Sequence, residues 1–143
     1  MSAIKLAGPM VARILAVALI AVSIGSSAQA NDKWLADAEA KMALGDDLSG
    51  NGQFSGAIVR WQEAGQLFKR AKVADGEVHA LLRQAAACQS LGRIRLAVTA
   101  LNAADLLAAD SGEERLATEV KAERGAIVGS FAMIDTRPSW MDN

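Results

Sequence analysis

One sequence pattern occurs twice in this chain, forty residues apart. Residues 52–64 read GQFSGAIVRWQEA and residues 92–104 read GRIRLAVTALNAA. Superposition pairs Gly52 with Gly92, Phe54 with Ile94, Ala57 with Ala97, Trp61 with Leu101 and Ala64 with Ala104. A small residue followed four positions later by a bulky one suits helices that pack closely, ridge into groove. The repetition therefore predicts one helical unit that is built twice.

The residues between Asp32 and Phe131 favour helix throughout. This stretch contains no proline, is rich in Ala, Leu, Gln, Glu, Lys and Arg, and spaces its apolar residues by three and four. Turn signals interrupt it at GNG (50–52), ADG (74–76), LG (91–92) and DSG (110–112), and each offers a glycine for a left-handed helix end. We therefore predict an all-α fold with five helices, over residues 32–49, 55–73, 77–90, 94–109 and 113–133.

The forty-residue spacing also extends upstream of both copies. It relates Gly45, Ala85 and Gly125, and it relates Leu48, Cys88 and Val128 three positions later. With Leu-Gly at 44–45 and Gly-x-aromatic-x-x-Ala at 52–57, the pattern resembles the tetratricopeptide repeat (TPR) family. The second copy is looser, because Gln84-Ala85 stands in place of Leu-Gly and Ile94 replaces the aromatic residue. The period is longer than the usual value of about 34 and is similar to the long-helix variant that precedes bacterial CHAT protease domains.

The resemblance implies a right-handed stack of antiparallel helix pairs, a TPR-like solenoid of about two and a half repeats over residues 31–133. The alternative is a plain alanine-rich helical bundle, which has no reason to keep turn glycine, small residue and bulky residue in one register twice. The residues expected to pack the repeats are Gly45, Leu48, Phe54, Ala57, Trp61, Ala64, Ala85, Cys88, Ile94, Ala97, Leu101, Ala104 and Gly125.

The resemblance also implies a binding surface, because the family binds peptides on the concave face lined by the first helix of each pair. The residues carried over by register are Met42, Asp46, Ser49, Leu82, Ala86, Gln89, Ala122 and Ala126. The paired lysines and asparagines with which some family members hold a peptide carboxylate are absent at these positions. Because a pattern alone leaves the rotation of each helix open, the same alanines and leucines face the core in the alternative interpretation.

The last helix has no partner helix in this scheme. Its stretch GAIVGSFAMI, residues 125–134, carries no charge, whereas the end of a repeat stack normally needs a polar cap. We therefore predict an interface with a partner or with a second copy of the chain through Val128 and Phe131. Residues 134–143 are expected to form an irregular tail.

The first thirty residues are typical of a signal peptide. Lys5 and Arg13 precede the apolar run ILAVALIAVSIG, and small residues at 28 and 30 predict cleavage after Ala30 and export to the periplasm or beyond. An uncleaved membrane anchor over residues 14–31 is the alternative. Without the leader, 15 basic residues become 13 against 16 acidic ones, a net charge of −3, which argues against a nucleic-acid partner.

The side chains that carry chemistry are few: one His, one Cys and no Tyr. His79 and Cys88 lie on one predicted helix, about 13.5 Å apart along its axis, too far for a nucleophile and its base. Cys88 is expected to be a small buried apolar residue, and Asp46-Asp47 and Glu113-Glu114 are expected to face solvent near helix ends. We therefore predict no enzyme activity, no cofactor and no metal.

The function that follows is an exported, non-catalytic protein–protein interaction module, an adaptor or assembly scaffold with a protein or peptide partner. The alternative is an N-terminal repeat fragment of a larger exported CHAT-type hydrolase whose catalytic domain is absent from this chain.

Overall fold

The computed structural model describes residues 27–132, and every regular element in that range is an α-helix. Helix α1 covers residues 27–50, α2 covers Phe54–Ala71, α3 covers Ala74–Ser90, α4 covers Ile94–Ser111 and α5 covers Glu114–Ala132. The prediction of an all-α fold with five helices is confirmed. Residues 1–26 of the predicted leader and the predicted tail 134–143 lie outside the described residues.

Three glycines end helices through left-handed backbone. Gly52, Gly92 and Gly112 have φ angles of 75°, 68° and 70°, which glycine adopts without a steric cost. After α1 the amide of Gln53 donates to the carbonyl of Leu48 at 2.8 Å, and after α3 the amide of Arg93 donates to the carbonyl of Cys88 at 2.8 Å. The same cap therefore ends α1 and α3, at the forty-residue spacing of the sequence.

The turn between α2 and α3 differs from the prediction. Its left-handed residue is Lys72, with φ 59°, and α3 begins three residues earlier than expected. Gly76, which was expected in the turn, is instead a buried residue of α3 that lies against the ring of Phe68. A β-carbon at position 76 would be 2.6 Å from Phe68 Cε1, so this glycine permits close packing rather than a turn.

Helices α2 and α4 bury the same stripe, forty residues apart. The stripe of α2 is Ala57, Trp61, Ala64 and Phe68, and that of α4 is Ala97, Leu101, Ala104 and Ala108. Both stripes begin with a small, a bulky and a small residue, which suits closely approaching helices. They differ at the fourth position, which is Phe68 in α2 and Ala108 in α4. Phe54 and Ile94 were both predicted to pack the repeats. Phe54 is half-buried, whereas Ile94 is exposed in the first turn of α4.

Helix α3 is the centre of the fold because it buries two faces. One face contacts α2: Gly76 meets Phe68, Ala80 meets Gly65, and Ala87 joins the cluster of Ala57 and Trp61. The other face shares a core with α4 and α5, through Val78, Leu82, Ala85 and Cys88.

Helix α5 buries only one of these two faces. Its buried residues are Leu116, Val120 and Ile127, which stand forty residues after the α3 face that contacts α2. The face equivalent to the second face of α3 is exposed, and its residues are Thr118, Ala122, Gly125 and Val128. The prediction that Gly125 packs the repeats is therefore wrong, since a β-carbon added there would meet nothing within 4 Å.

Candidate functional site

Side chains of α1, α3 and α5 form one surface with two shallow depressions. The depression between α1 and α3 has a volume of about 260 Å³, and Asp46 and Ser49 are among its lining residues. The depression between α3 and α5 has a volume of about 290 Å³, and Glu119 and Glu123 are among its lining residues. Arg83 and Ala86 line both depressions, so the two depressions adjoin. We call this surface, defined by Asp46, Ser49, His79, Arg83, Ala86, Glu119 and Glu123, the odd-helix face.

Asp46 joins three helices at one end of the odd-helix face. Its carboxylate accepts a hydrogen bond from Trp61 Nε1 at 3.1 Å and pairs with the guanidinium of Arg83. The indole of Trp61 is otherwise buried, so Asp46 satisfies the one polar atom of a core side chain. Asp46 and Arg83 are therefore held in place by contacts within the fold.

A second polar cluster joins α3 to α5. His79 Nε2 lies 3.1 Å from Glu119 Oε1, and His79 Nδ1 lies 3.7 Å from Asp75 Oδ2. Arg115 pairs with Asp75 and lies 3.5 Å from Glu119, and the hydrogen bond to Asp75 is the largest cause that raises the pKa of Arg115. Both His79–Glu119 and Asp75–Arg115 join residues forty positions apart, so equivalent turns of α3 and α5 lie side by side.

Glu123 differs from the other acidic residues of this surface. It lines the second depression, is half-buried, and forms no ion pair with any residue between 27 and 132. A carboxylate in this position can accept hydrogen bonds from a lysine or arginine of a partner.

The structure divides the eight predicted concave-face residues into three groups. Asp46, Ser49, Ala86 and the largely buried Leu82 line the depressions, and Ala122 and Ala126 are exposed but line neither of them. Two predictions need correction, those of Met42 and Gln89. Met42 packs half-buried against two core clusters, and Gln89 donates a hydrogen bond to Ser130.

The two residues predicted as a terminal interface also differ. Val128 is 48% exposed. Phe131, in contrast, is half-buried and packs against the main core cluster, to which Ile127 also belongs. Only Val128 belongs to the exposed flank of α5.

Sequence reasoning missed His79, Arg83, Glu119 and Glu123 as members of the odd-helix face. A signal was present, because His79 and Glu119 share one repeat position, and Arg83 and Glu123 share another, four residues later. Polar residues four apart lie on one side of a helix. The same pair of polar positions recurs forty residues later, which indicates a solvent-facing side on both helices.

The described side chains offer little reactive chemistry. Cys88 is buried and unpaired, and desolvation raises the pKa of its thiol, so the unreactive protonated form persists at neutral pH. Between residues 27 and 132, no three His, Cys, Asp or Glu side chains are arranged to hold a metal ion. In the same range no helix has the length and apolar character needed to cross a membrane.

The chain was compared with protein-family models, with curated proteins and with solved structures, and none of them matches it.

Proposed function

We propose that this chain is an exported, non-catalytic protein–protein interaction module that binds a segment of its partner on the odd-helix face. The pair of adjoining depressions that meets at Arg83 and Ala86 carries the proposal. Both depressions are shallow and open, which suits an extended peptide better than a small molecule enclosed in a pocket.

A TPR-like stack of helix pairs is the architecture that we propose for this module. It is supported by equivalent caps after α1 and α3, by equivalent buried stripes on α2 and α4, and by polar contacts between α3 and α5 at a spacing of forty residues. In such a stack α1, α3 and α5 are the first helices of successive pairs and line the concave side.

The chemistry of the face indicates the kind of partner segment. Ser49 and Ala86 leave room for partner side chains, while Glu123 has no ion-pair partner among residues 27–132. Arg83 is held by Asp46. We therefore expect an extended segment with small or apolar side chains and at least one basic residue, which binds next to Glu123.

Crosslinking capture from the native cell envelope tests the proposal. Ala86→Trp fills the junction of the two depressions and should abolish capture, and Glu123→Lys should weaken it by charge repulsion. Ala117→Trp and Glu114→Lys are matched controls, because both positions are exposed on α5 outside the face, and they should capture normally. Equal capture by all four variants, with the partner crosslinked elsewhere, would contradict the proposed face.

A further inference from the structure

A separate groove runs between α2 and α4, with α3 at its base. Its volume is about 540 Å³, and it shares no residue with the odd-helix face. Ile58, Leu81 and Ala100 form its partly buried apolar lining. Val59 of α2 and Leu96 of α4 also line it and are 47% and 54% exposed. The groove therefore offers apolar walls to solvent.

Gln84 lies at the base of this groove. Only 8% of it is exposed, and it is the one buried polar residue among residues 27–132. In that range its side chain forms no hydrogen bond, and every fully buried side-chain nitrogen or oxygen has a partner. The amide of Gln84 therefore keeps its remaining solvent contact through the groove and through an adjoining depression of about 450 Å³ that it also lines.

An amide on a side chain that is only 8% exposed reaches solvent through a small opening, so its hydrogen bonds depend on the molecules that enter the groove. The repeat does not require a polar residue at this position: the equivalent residue forty positions earlier is Leu44, which is exposed, whereas Gln84 is covered by neighbouring helices. A leucine at position 84 would suit this environment better than glutamine if packing were the only demand. The polar side chain therefore points to a ligand that supplies both a donor and an acceptor.

A free positive charge stands at the same groove. Arg93, directly before α4, lines it and is exposed. No carboxylate among the described residues pairs with its side chain within 4 Å. The groove thus combines apolar walls with an amide and a cation that have no protein partner among the described residues.

We propose that the α2–α4 groove binds a short extended peptide with apolar side chains and a carboxylate. The Gln84 amide donates to a peptide carbonyl and accepts from a peptide N–H, Val59 and Leu96 contact the side chains, and Arg93 pairs with the carboxylate. A fatty acid would satisfy the walls and Arg93 but would leave the Gln84 amide without a partner. This site lies beyond the odd-helix face and does not depend on it.

Nuclear magnetic resonance with a defined probe tests this site. The probe is a mixture of acetylated tetrapeptides of Ala, Val, Leu, Ile and Phe with free carboxylates, and a carboxamide mixture is the matched probe. We expect the free-carboxylate mixture to shift the side-chain amide resonances of Gln84. The carboxamide mixture, and the Arg93→Gln variant with the free acids, should each bind about tenfold more weakly, as the loss of a charge-assisted contact predicts.

Two pairs of variants keep the test independent of folding. Gln84→Met keeps the volume and removes the amide, so it should stay folded by circular dichroism and lose binding. Leu96→Lys should block the groove, whereas Leu106→Lys, on the same helix at a residue that is 71% exposed and outside the groove, should bind as wild type does.

Three results would overturn the proposal. One is that the Gln84 side-chain resonances do not shift when the peptides are present at about 1 mM, a concentration that would detect even weak specific binding. Another is unchanged binding by folded Gln84→Met. The third is binding of dodecanoate, sensitive to Leu96→Lys, without binding of peptides, which would make the groove an acyl-chain site.

Discussion

The indole of Trp61 lies directly against the backbone of Gly45. A β-carbon built at position 45 would be 2.6 Å from Trp61 Cδ1 and 2.9 Å from Cε2, well inside the usual carbon–carbon contact distance of about 3.5–4.0 Å. Glycine at this position of α1 is thus what lets α2 approach α1 and lets Trp61 reach Asp46.

This contact predicts opposite effects of one substitution at two equivalent positions. Gly45→Ala should lower the free energy of unfolding by about 1–3 kcal/mol, because the new methyl group overlaps a buried ring. Gly125→Ala is the matched control: it is also helical, but its surroundings are open, so it should raise stability by about 0.5–1 kcal/mol through helix propensity. Urea denaturation measures both, and a stabilising Gly45→Ala would show that the indole does not hold this position.

Trp61 itself should be among the most costly residues to truncate. It is 3% exposed and packs in a cluster with Ala57 and Ala87, so Trp61→Ala should cost about 3–5 kcal/mol. Trp34, half-exposed on α1 and outside the core clusters, provides the control, and Trp34→Ala should cost clearly less. Equal denaturation midpoints for both variants would contradict the packing role of Trp61.

Lys72 holds a conformation that favours glycine. A non-glycine residue in the left-handed region lowers the free energy of unfolding by about 1–2 kcal/mol. Glycine avoids this strain, but it also gives the unfolded chain more conformational entropy, which offsets part of the gain. We therefore expect Lys72→Gly to raise the stability by up to about 1 kcal/mol, whereas Lys69→Gly, in the last turn of α2, should lower it. Thermal unfolding separates the two, and a destabilised Lys72→Gly would indicate that the lysine side chain contributes more than the backbone strain costs.

Substitutions at two adjacent residues of α5 test its exposed flank and its core side independently. Val128→Asp should leave the monomer folded, because Val128 faces solvent, whereas Ile127→Asp should unfold it by placing a charge in the core. If the flank contacts a second copy, sedimentation should show wild-type self-association that Val128→Asp removes. Wild-type protein that is monomeric at high concentration would exclude this contact. Phe131 is unsuitable for the test because it packs against the core.

Export predicts a defined amino terminus. Intact-mass measurement of protein from the producing cells should find a chain that begins at Asn31. Residues 27–30 belong to the described part of α1 and are exposed or half-exposed, so cleavage after Ala30 would shorten α1 without removing a core residue. A membrane-retained product that still begins at Met1 would support the anchor instead.

Much of the helical framework could be predicted from the sequence because its causes are local. Helix-forming residues, apolar spacing and the glycines at 52, 92 and 112 act within a few residues of themselves. The prediction of the second turn was wrong for the same reason: Gly76 looks like a turn residue locally, and only the ring of Phe68, eight residues away, explains why it is helical. Part of the odd-helix face was likewise predicted by register, since Asp46, Ser49 and Ala86 line its depressions.

The number of helices, their order and the forty-residue equivalence between them follow from helix propensity and periodicity, which are local properties of the chain. Which of the equivalent positions are covered depends instead on how the helices pack. Ala85 is buried because α4 packs on α3, whereas Gly125 at the same repeat position is open because no described helix packs on that side of α5. Likewise Gln84 is buried and Leu44 is exposed. Burial depends on neighbours that lie far away along the chain, so residues at equivalent repeat positions differ in their exposure.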